Sequence, residues 1–445
     1  MADLDVAVVG AGISGLVTAW RLAEQGHRVE VFESEPHLGG RMYSRRVDGY
    51  TVDHGAETLA PFGYPATWEL IRELGLDRSG QVSRIRQPVA LWRDGKAHPW
   101  LGHPLSTLTG AGLSARGRLQ SARLLGSAML KSRSIDQDAP ESSPYGLRTL
   151  TEVGEEYGPE AMNRVLAPMA ASAFGWLPER SAAAPLIAIV LATKGVWRWR
   201  TYRDGQDTMA RALGDRLTVH LSKRVTEVKR EGAREARLRF EDGSDVSARA
   251  AVLTMPSPQI PALHPEVPEE EREFLEASTF TRVMRVALLL DRPLEPRRGR
   301  FGPRLYAALM AEGASPLLAG CTVEHNKCGA RVPRGAGMVS LLISPRRVPE
   351  FDEKPDAEVA DAVIAEGGKL IDGLRSAVVG YDVIRWRHAL PEAPPKALAL
   401  RRRFLDRPAQ PVEYAGDWLY LRPSSEAAIG SARLAVPRVR AWLDG

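Results

Sequence analysis

Four residues near the N-terminus have the types and spacing to hold a diphosphate. Gly10, Gly12 and Gly15 lie in VAVVGAGISGLVTAW, between a short apolar run and a stretch with helical periodicity. Gly10 permits a tight turn, Gly12 lets the backbone approach a pyrophosphate, and Gly15 lets helix and strand pack closely. The helix N-terminus adds unpaired N–H groups and a positive dipole end. Eighteen residues after Gly15, Glu33 closes a second apolar run, where a carboxylate accepts the hydroxyls of an adenosine ribose. The same charge argues against a ribose 2′-phosphate and so against NADP. Further on, LGGR pairs Gly39 and Gly40, whose backbone N–H groups can come close to a ligand, with Arg41, a guanidinium suited to phosphate oxygens. In DHGAE, Gly55 and Ala56 are small enough for a flat ring to lie against the backbone, and Glu57 faces either a substrate cavity or a structural partner. In YAGDW, Asp417 follows Gly416 and offers an acceptor for hydroxyls.

These groups need elements to bring them together. Val6–Val9 reads as a buried parallel strand, Ile13–Gln25 as a helix ended by Gly26, and Arg28–Phe32 as a second strand. Residues 34–57 read as a loop and two short strands. Residues 63–215 read mainly as helices, with ATWELIRELGL, ARGRLQSARLLGSAML and AMNRVLAPMAASAF at helical spacing and 131–146 as an exposed loop. Strands are predicted at 217–221 and 224–230, followed by a hairpin at EDGS and the run Ala250–Thr254, a second visit to the nucleotide-binding domain. Residues 280–345 suggest an antiparallel sheet outside that domain, and a helix is predicted near Ala357–Arg375. Tyr414–Gly416 reads as a short strand, and Ser424 as the N-cap of a helix that runs through Ser425 and Ile429. The fold class is therefore α/β. A discontinuous nucleotide-binding domain (1–62, 216–260, 385–445) interleaves with an α+β substrate domain (63–215, 261–384) built on a mostly antiparallel sheet.

Bulk properties narrow the function. At 445 residues, two domains are expected. The net charge of +5 is mild, and nothing resembles a basic arm or an RNA-binding signature, which argues against nucleic acid. Cys321 and Cys328 are too few for a disulfide framework, and the acidic N-terminus enters a strand at once; both fit a cytoplasmic protein. The apolar stretch Ala182–Thr193 is too short to span a bilayer. It reads as a core helix, with peripheral membrane docking as the alternative. No metal site is expected, and the oligomeric state stays open between monomer and homodimer.

Taken together, VAVVGAGISGLVTAWRLAEQGHRVEVFE with LGGR, then DHGAE, then RVTEV with AVLTMP, and YAGDW before a helix resemble the flavin-dependent amine oxidase superfamily. That superfamily includes monoamine and polyamine oxidases, protoporphyrinogen oxidases and carotenoid desaturases. The resemblance implies a Rossmann-like FAD-binding domain of the GR2 type and FAD held without a covalent bond, since no cysteine lies near the C-terminal motif. It implies that Val225 pairs with the adenine edge through its backbone, that Asp417 accepts ribityl hydroxyls, and that the helix at Ser424–Ser425 points its N-terminus at the flavin. The implied chemistry is hydride loss from an activated C–H bond of a mostly hydrophobic small molecule, with O2 as acceptor. Trp386, Tyr414 and Trp418 are expected to wall the cavity. Arg385, Arg387 and His388 could bind an acidic group or lie on a solvated edge. Lys327 matches the flavin-proximal lysine some relatives use to hold a water, with a surface lysine as the plainer reading. Many amine oxidases carry two facing tyrosines; this chain has one clear tyrosine beside the acid, which leaves porphyrinogen oxidation as an alternative and a non-catalytic flavin protein as a further one.

Overall fold

The computed structural model describes residues 2–103, 110–232, 235–299 and 302–445. Two seven-stranded sheets organise it. In the first, the order runs Val225–Glu231, Glu235–Phe240, Asp245–Leu253, Leu4–Val9, Val29–Phe32, Thr218–His220, with Val412–Tyr414 also paired to Asp245–Leu253. Leu4–Val9 lies parallel to both neighbours, with Val6 opposite Val29 and Ala250. Its near-continuous apolar sequence follows from burial on both faces. Val6 and Val8 pack with Leu16 of the helix Ile13–Ala23 and Val439 of the helix Ala432–Asp444, while Ala7 and Val9 pack on the opposite face with Phe32 and Leu253.

The second sheet runs Val378–Trp386, Val283–Leu290, Gly337–Ile343, Leu318–Val323, Ala307–Met310, Val89–Arg93, Lys96–Pro99. Every pairing is antiparallel except that of Ala307–Met310 with Val89–Arg93. Its second strand, Val283–Leu290, alternates strictly. Met284, Val286, Leu288 and Leu290 pack with Val359 and Val363 of the helix Asp356–Gly367, while Ala287 and Leu289 face Tyr50 and Val52. By the period of two, Arg285 shares that second face, which is turned toward the hairpin Ser44–Val47 and Tyr50–Asp53.

Several expectations change. Residues 63–215 carry short strands as well as helices, at Val82–Arg84, Val89–Arg93, Lys96–Pro99 and Arg200–Tyr202, two of them in the second sheet; residues 104–109 of that stretch lie outside the described residues. Strands of three to five residues set among helices carry too little periodicity to be read. The helix predicted to end near Arg375 stops at Gly367, and a separate turn, Leu374–Ala377, follows Gly373 at φ +74°. The 131–146 loop is tied down: Arg401 binds Glu141 at 2.6 Å and the Asp138 carbonyl at 2.7 Å, and Arg422 donates to the Gln137 carbonyl at 3.0 Å. The helix Ala183–Thr193 is buried from Ala183 to Ile189, with Val190, Leu191 and Ala192 half-buried, so most of its apolar side chains pack into the core. Among the described residues no helix is long and apolar enough to cross one.

Candidate functional site

The first βα turn has the form a dinucleotide needs. Gly10 takes φ +108°, which only glycine adopts easily, and a Cβ on Gly15 would lie 2.0 Å from the Gly10 carbonyl oxygen. A Cβ on Gly12 would meet nothing within 4 Å, so this stretch of backbone faces open space. Gly12 is also the N-cap of Ile13–Ala23, and no side chain among the described residues caps that helix end. Its N–H groups are thus available to an anion. Glu33 stands beside the turn. Its carboxylate accepts the Ala11 N–H at 2.7 Å and the Glu35 N–H at 2.9 Å, leaving lone pairs for hydroxyls. Thr254 locks the turn from the next strand by donating its hydroxyl to the Val9 carbonyl at 2.8 Å. Val225 opens the edge strand two residues after Lys223, whose N–H donates to the Glu33 carbonyl at 2.7 Å.

LGGR docks directly on this turn. The Gly39 N–H donates to the Ala11 carbonyl at 2.9 Å, and a Cβ on Gly40 would sit 3.4 Å from the Gly12 Cα. Arg41 then reaches 376 residues along the chain to Asp417, in a bidentate pair with both N···O distances 2.8 Å, and also donates to the Ala389 carbonyl at 3.0 Å. Arg41 therefore acts first as a clamp between the N-terminal loop and the C-terminal segment; its guanidinium is not simply held out for phosphate. DHGAE is laid along LGGR: the Ala56 N–H donates to the Arg41 carbonyl at 2.9 Å, and a Cβ on Gly55 would lie 2.0 Å from that oxygen. Backbone approach alone explains Gly55. Gly416 donates its N–H to the Ser431 hydroxyl at 3.0 Å, beside Asp417.

Glu57 has found a charged partner. Its carboxylate touches Arg285 Nη1 and accepts the Thr322 hydroxyl at 3.0 Å, which joins DHGAE to the second sheet. Arg285 is 6% exposed, and its Nη2 has no hydrogen-bond partner. Sequence reasoning missed this residue, although a charge inside the strand-like run RVMRVALLLD was a readable signal. Trp386, at the end of its strand, donates its indole N–H to the His54 carbonyl at 2.6 Å and so lies against DHGAE. His54 in turn contacts Asp382 at 3.1 Å.

Lys327 is not a surface lysine. It is 2% exposed, and its ammonium lies 3.1 Å from Asp53 and 2.6 Å from Glu324. Asp53 also touches Arg331 and accepts the Ser44 hydroxyl at 2.7 Å, and Glu324 accepts the Ser340 hydroxyl at 2.9 Å. Two carboxylates and two cations thus form a closed, neutral buried group. Burial alone would raise the Asp53 carboxyl, but Arg331 and Lys327 outweigh it and hold the group well below the usual range. Burial likewise opposes the charge on Lys327, yet Glu324 and Asp53 hold its ammonium above the ordinary value. Two of the three donors of this ammonium are thereby directed at carboxylates.

Tyr414 and Trp418 are each 1% exposed. They pack with Phe404, at ring-centroid distances of 5.7 and 5.9 Å, as part of the core. The short strand Val412–Tyr414, paired in parallel with Asp245–Leu253, is buried along its whole length. Ser424 accepts the Ala427 N–H at 3.0 Å, as a cap should, but the helix Ser425–Gly430 has only six residues. Glu426 in its first turn accepts the Ala66 and Thr67 N–H groups at 3.0 and 2.9 Å and so caps the helix Pro65–Glu73. Ser425 lies 3.5 Å from the Thr67 hydroxyl. Arg385 and Arg387 pair with Asp356 and Glu353, with His388 next in the chain, so this stretch forms a solvated rim.

The family model described as flavin containing amine oxidoreductase matches residues 13–440. The chain is 39% identical over 92 residues to the coproporphyrinogen III oxidase of Propionibacterium freudenreichii subsp. freudenreichii, covering 21% of this chain and 17% of that protein. It is 33% identical over 115 residues to protoporphyrinogen oxidase 2, chloroplastic/mitochondrial, of Arabidopsis thaliana, covering 26% and 22%. The matched stretches are thus less than a quarter of each relative's length. Among solved structures, wild-type putrescine oxidase bound to putrescine superposes with a TM-score of 0.78 at 17% identity, over 99% of each chain, a likeness of fold. With the family match running over nearly the whole polypeptide, the chain belongs to the flavin containing amine oxidoreductases.

Proposed function

We propose that this chain removes a hydride from an activated C–H bond, next to nitrogen or carbon, of a mostly hydrophobic biosynthetic intermediate. As a family member it is a flavin-dependent oxidoreductase with FAD as cofactor. When bound, FAD supplies the two-electron acceptor, and O2 takes the electrons afterwards. The open backbone at Gly12 and the uncapped helix end would hold the pyrophosphate, Glu33 the adenosine ribose, and the Arg41–Asp417 clamp the segment that meets the ribityl chain. The chain's own part in the chemistry is to position the reacting bond and exclude water.

The observation that carries the substrate reading is the contact of Glu57 with Arg285. A carboxylate already neutralised by a buried guanidinium is not a free counter-ion for a substrate ammonium. Tyr414 is buried in the core, which weighs against its serving in an aromatic amine cage. Both support a neutral or anionic substrate over a protonated amine. The unpartnered Arg285 Nη2 offers a donor to a substrate acceptor. The likeness to coproporphyrinogen III oxidase favours an electron-rich polycyclic molecule. The test is anaerobic mixing of the flavin-loaded protein with a panel of amines, porphyrinogens and polyene precursors, read as loss of the flavin absorbance. Bleaching by a porphyrinogen is expected; bleaching by simple amines alone would overturn the substrate reading. No bleaching by any member would favour a flavin-binding protein without turnover.

A further inference from the structure

A cavity of about 160 Å³ opens between the segments 84–103 and 196–199. Arg84, Arg86 and Arg198 line it together with Trp100, Trp197 and Trp199. Its remaining wall includes Tyr306, whose hydroxyl bonds to Thr58 and which lies within electrostatic reach of Glu57. The cavity therefore backs onto the Glu57–Arg285 pair.

Its charge is unbalanced in a way the fold does not require. On the two-stranded ribbon Val82–Arg84 and Arg200–Tyr202, Arg84 stands directly opposite Arg200, an arrangement in which like charges repel. Among the described residues no carboxylate forms an ion pair with Arg84, Arg86, Arg198 or Arg200, although the chain has 55 Asp and Glu residues to supply one. The lining is also held in an uncommon backbone: Trp100 takes φ +75° and Arg198 φ +61°, left-handed conformations that bulky residues rarely adopt and that cluster where structure serves a ligand. The Arg198 guanidinium lies 4.5 Å from the centre of the Trp197 ring, which presents a cation and an aromatic face side by side. Burial, with Arg84 and Arg198 nearby, depresses the Arg200 guanidinium, as expected where positive charges crowd without an anion.

We propose that this cavity is the docking site for a carboxylate-bearing arm of a flat, apolar substrate, with the arginines taking the carboxylate and the indoles the flat body. The volume suits one arm or ring of such a molecule. The proposal deepens the substrate reading above and rests on it.

The probe is coproporphyrin III, a flat tetracarboxylate already fully oxidised, titrated calorimetrically into the flavin-loaded protein, with its neutral tetramethyl ester as control. We expect the acid to bind at least tenfold more tightly than the ester, with an affinity that falls as salt rises. Arg84→Glu combined with Arg198→Glu is expected to weaken the acid at least tenfold and leave the ester and the flavin spectrum unchanged. Arg84→Gln with Arg198→Gln, expected to lose about fivefold, serves if the charge reversal disturbs folding. Binding of the acid within twofold of wild type in either folded variant, no binding of the acid to wild type, or equal binding of acid and ester overturns the docking site. If the same protein holds FAD and bleaches with a substrate, the functional reading survives that loss. A chain that takes up no FAD overturns the reading itself.

Discussion

Replacing Asp53 with asparagine tests the buried charge group most directly. In the native chain Asp53 and Glu324 balance Lys327 and Arg331 with side chains at most 1% exposed. Asp53→Asn keeps the shape and removes one negative charge, which strands a net positive charge in the interior. Breaking a buried pair from one side costs about 3–5 kcal/mol. With about 2.1 cal/mol/K of unfolding entropy per residue, 445 residues give roughly 0.9 kcal/mol/K, so a single cooperative transition should shift down by about 3–5 °C. Lys327→Met should destabilise similarly. The double variant Asp53→Asn/Lys327→Met restores neutrality, so its loss should fall short of the sum of the singles by about 1–3 kcal/mol. The pH dependence has a definite sign. Asp53 has its folded value below the unfolded one, so its contribution is complete above about pH 5 and is lost as pH falls through the folded value; Lys327, raised, keeps its contribution until pH climbs above about 10. The difference between wild type and Asp53→Asn should thus stay constant from about pH 5 to 9. Thermal and urea unfolding of the flavin-loaded proteins reads this out. A single variant within 1 kcal/mol of wild type, or strictly additive singles, would refute the account of Lys327 as a structural cation.

Gly12→Ala should fold with near wild-type stability in the absence of FAD, because its Cβ meets nothing within 4 Å, yet lose flavin affinity; equal flavin content after gel filtration would contradict this. Gly15→Ala drives a methyl to 2.0 Å from the Gly10 carbonyl oxygen and should destabilise the apoprotein itself, by about 1–3 kcal/mol or more, visible in urea midpoints. Glu33→Ala removes hydrogen bonds to a charged acceptor and should weaken FAD by about 1.5–3 kcal/mol, roughly ten- to a hundredfold by equilibrium dialysis; unchanged affinity would make the acid purely structural. Arg285→Met leaves Glu57 without its cation and should lower turnover while sparing flavin content; a variant with unchanged steady-state rates would remove Arg285 from the site.

The dinucleotide turn was legible because its signals are local. Gly10, Gly12, Gly15 and Glu33 lie within one βαβ unit, and each expected feature of that unit is met in order along the chain. LGGR, DHGAE and YAGDW were readable as motifs, but their mutual contacts were not: that Arg41 would chelate Asp417 depends on an approach across 376 residues, and that Gly55 is needed to pass the Arg41 carbonyl depends on how the intervening hairpin folds back. Lys327 misled for the same reason. In EHNKCGARVPRG it looks hydrophilic and exposed, and its burial rests on the distant Asp53 together with the nearby Glu324. Tyr414 misled because a three-residue strand has no periodicity to reveal that both of its faces are covered. Arg285 could have been noticed, since a lone guanidinium in an otherwise apolar strand needs a reason.

The first sheet joins residues from both ends of the polypeptide: Leu4–Val9 lies beside Asp245–Leu253, which in turn pairs Ala251 with Val412. During synthesis the opening strand must therefore wait for its neighbours, the last of which lies about four hundred residues further along the chain. Such long-range pairing makes for slow maturation and leaves an unfinished sheet edge exposed in the meantime. A nascent chain stalled before Val412 would have every glycine of the phosphate turn in hand and still lack the carboxylate that clamps Arg41.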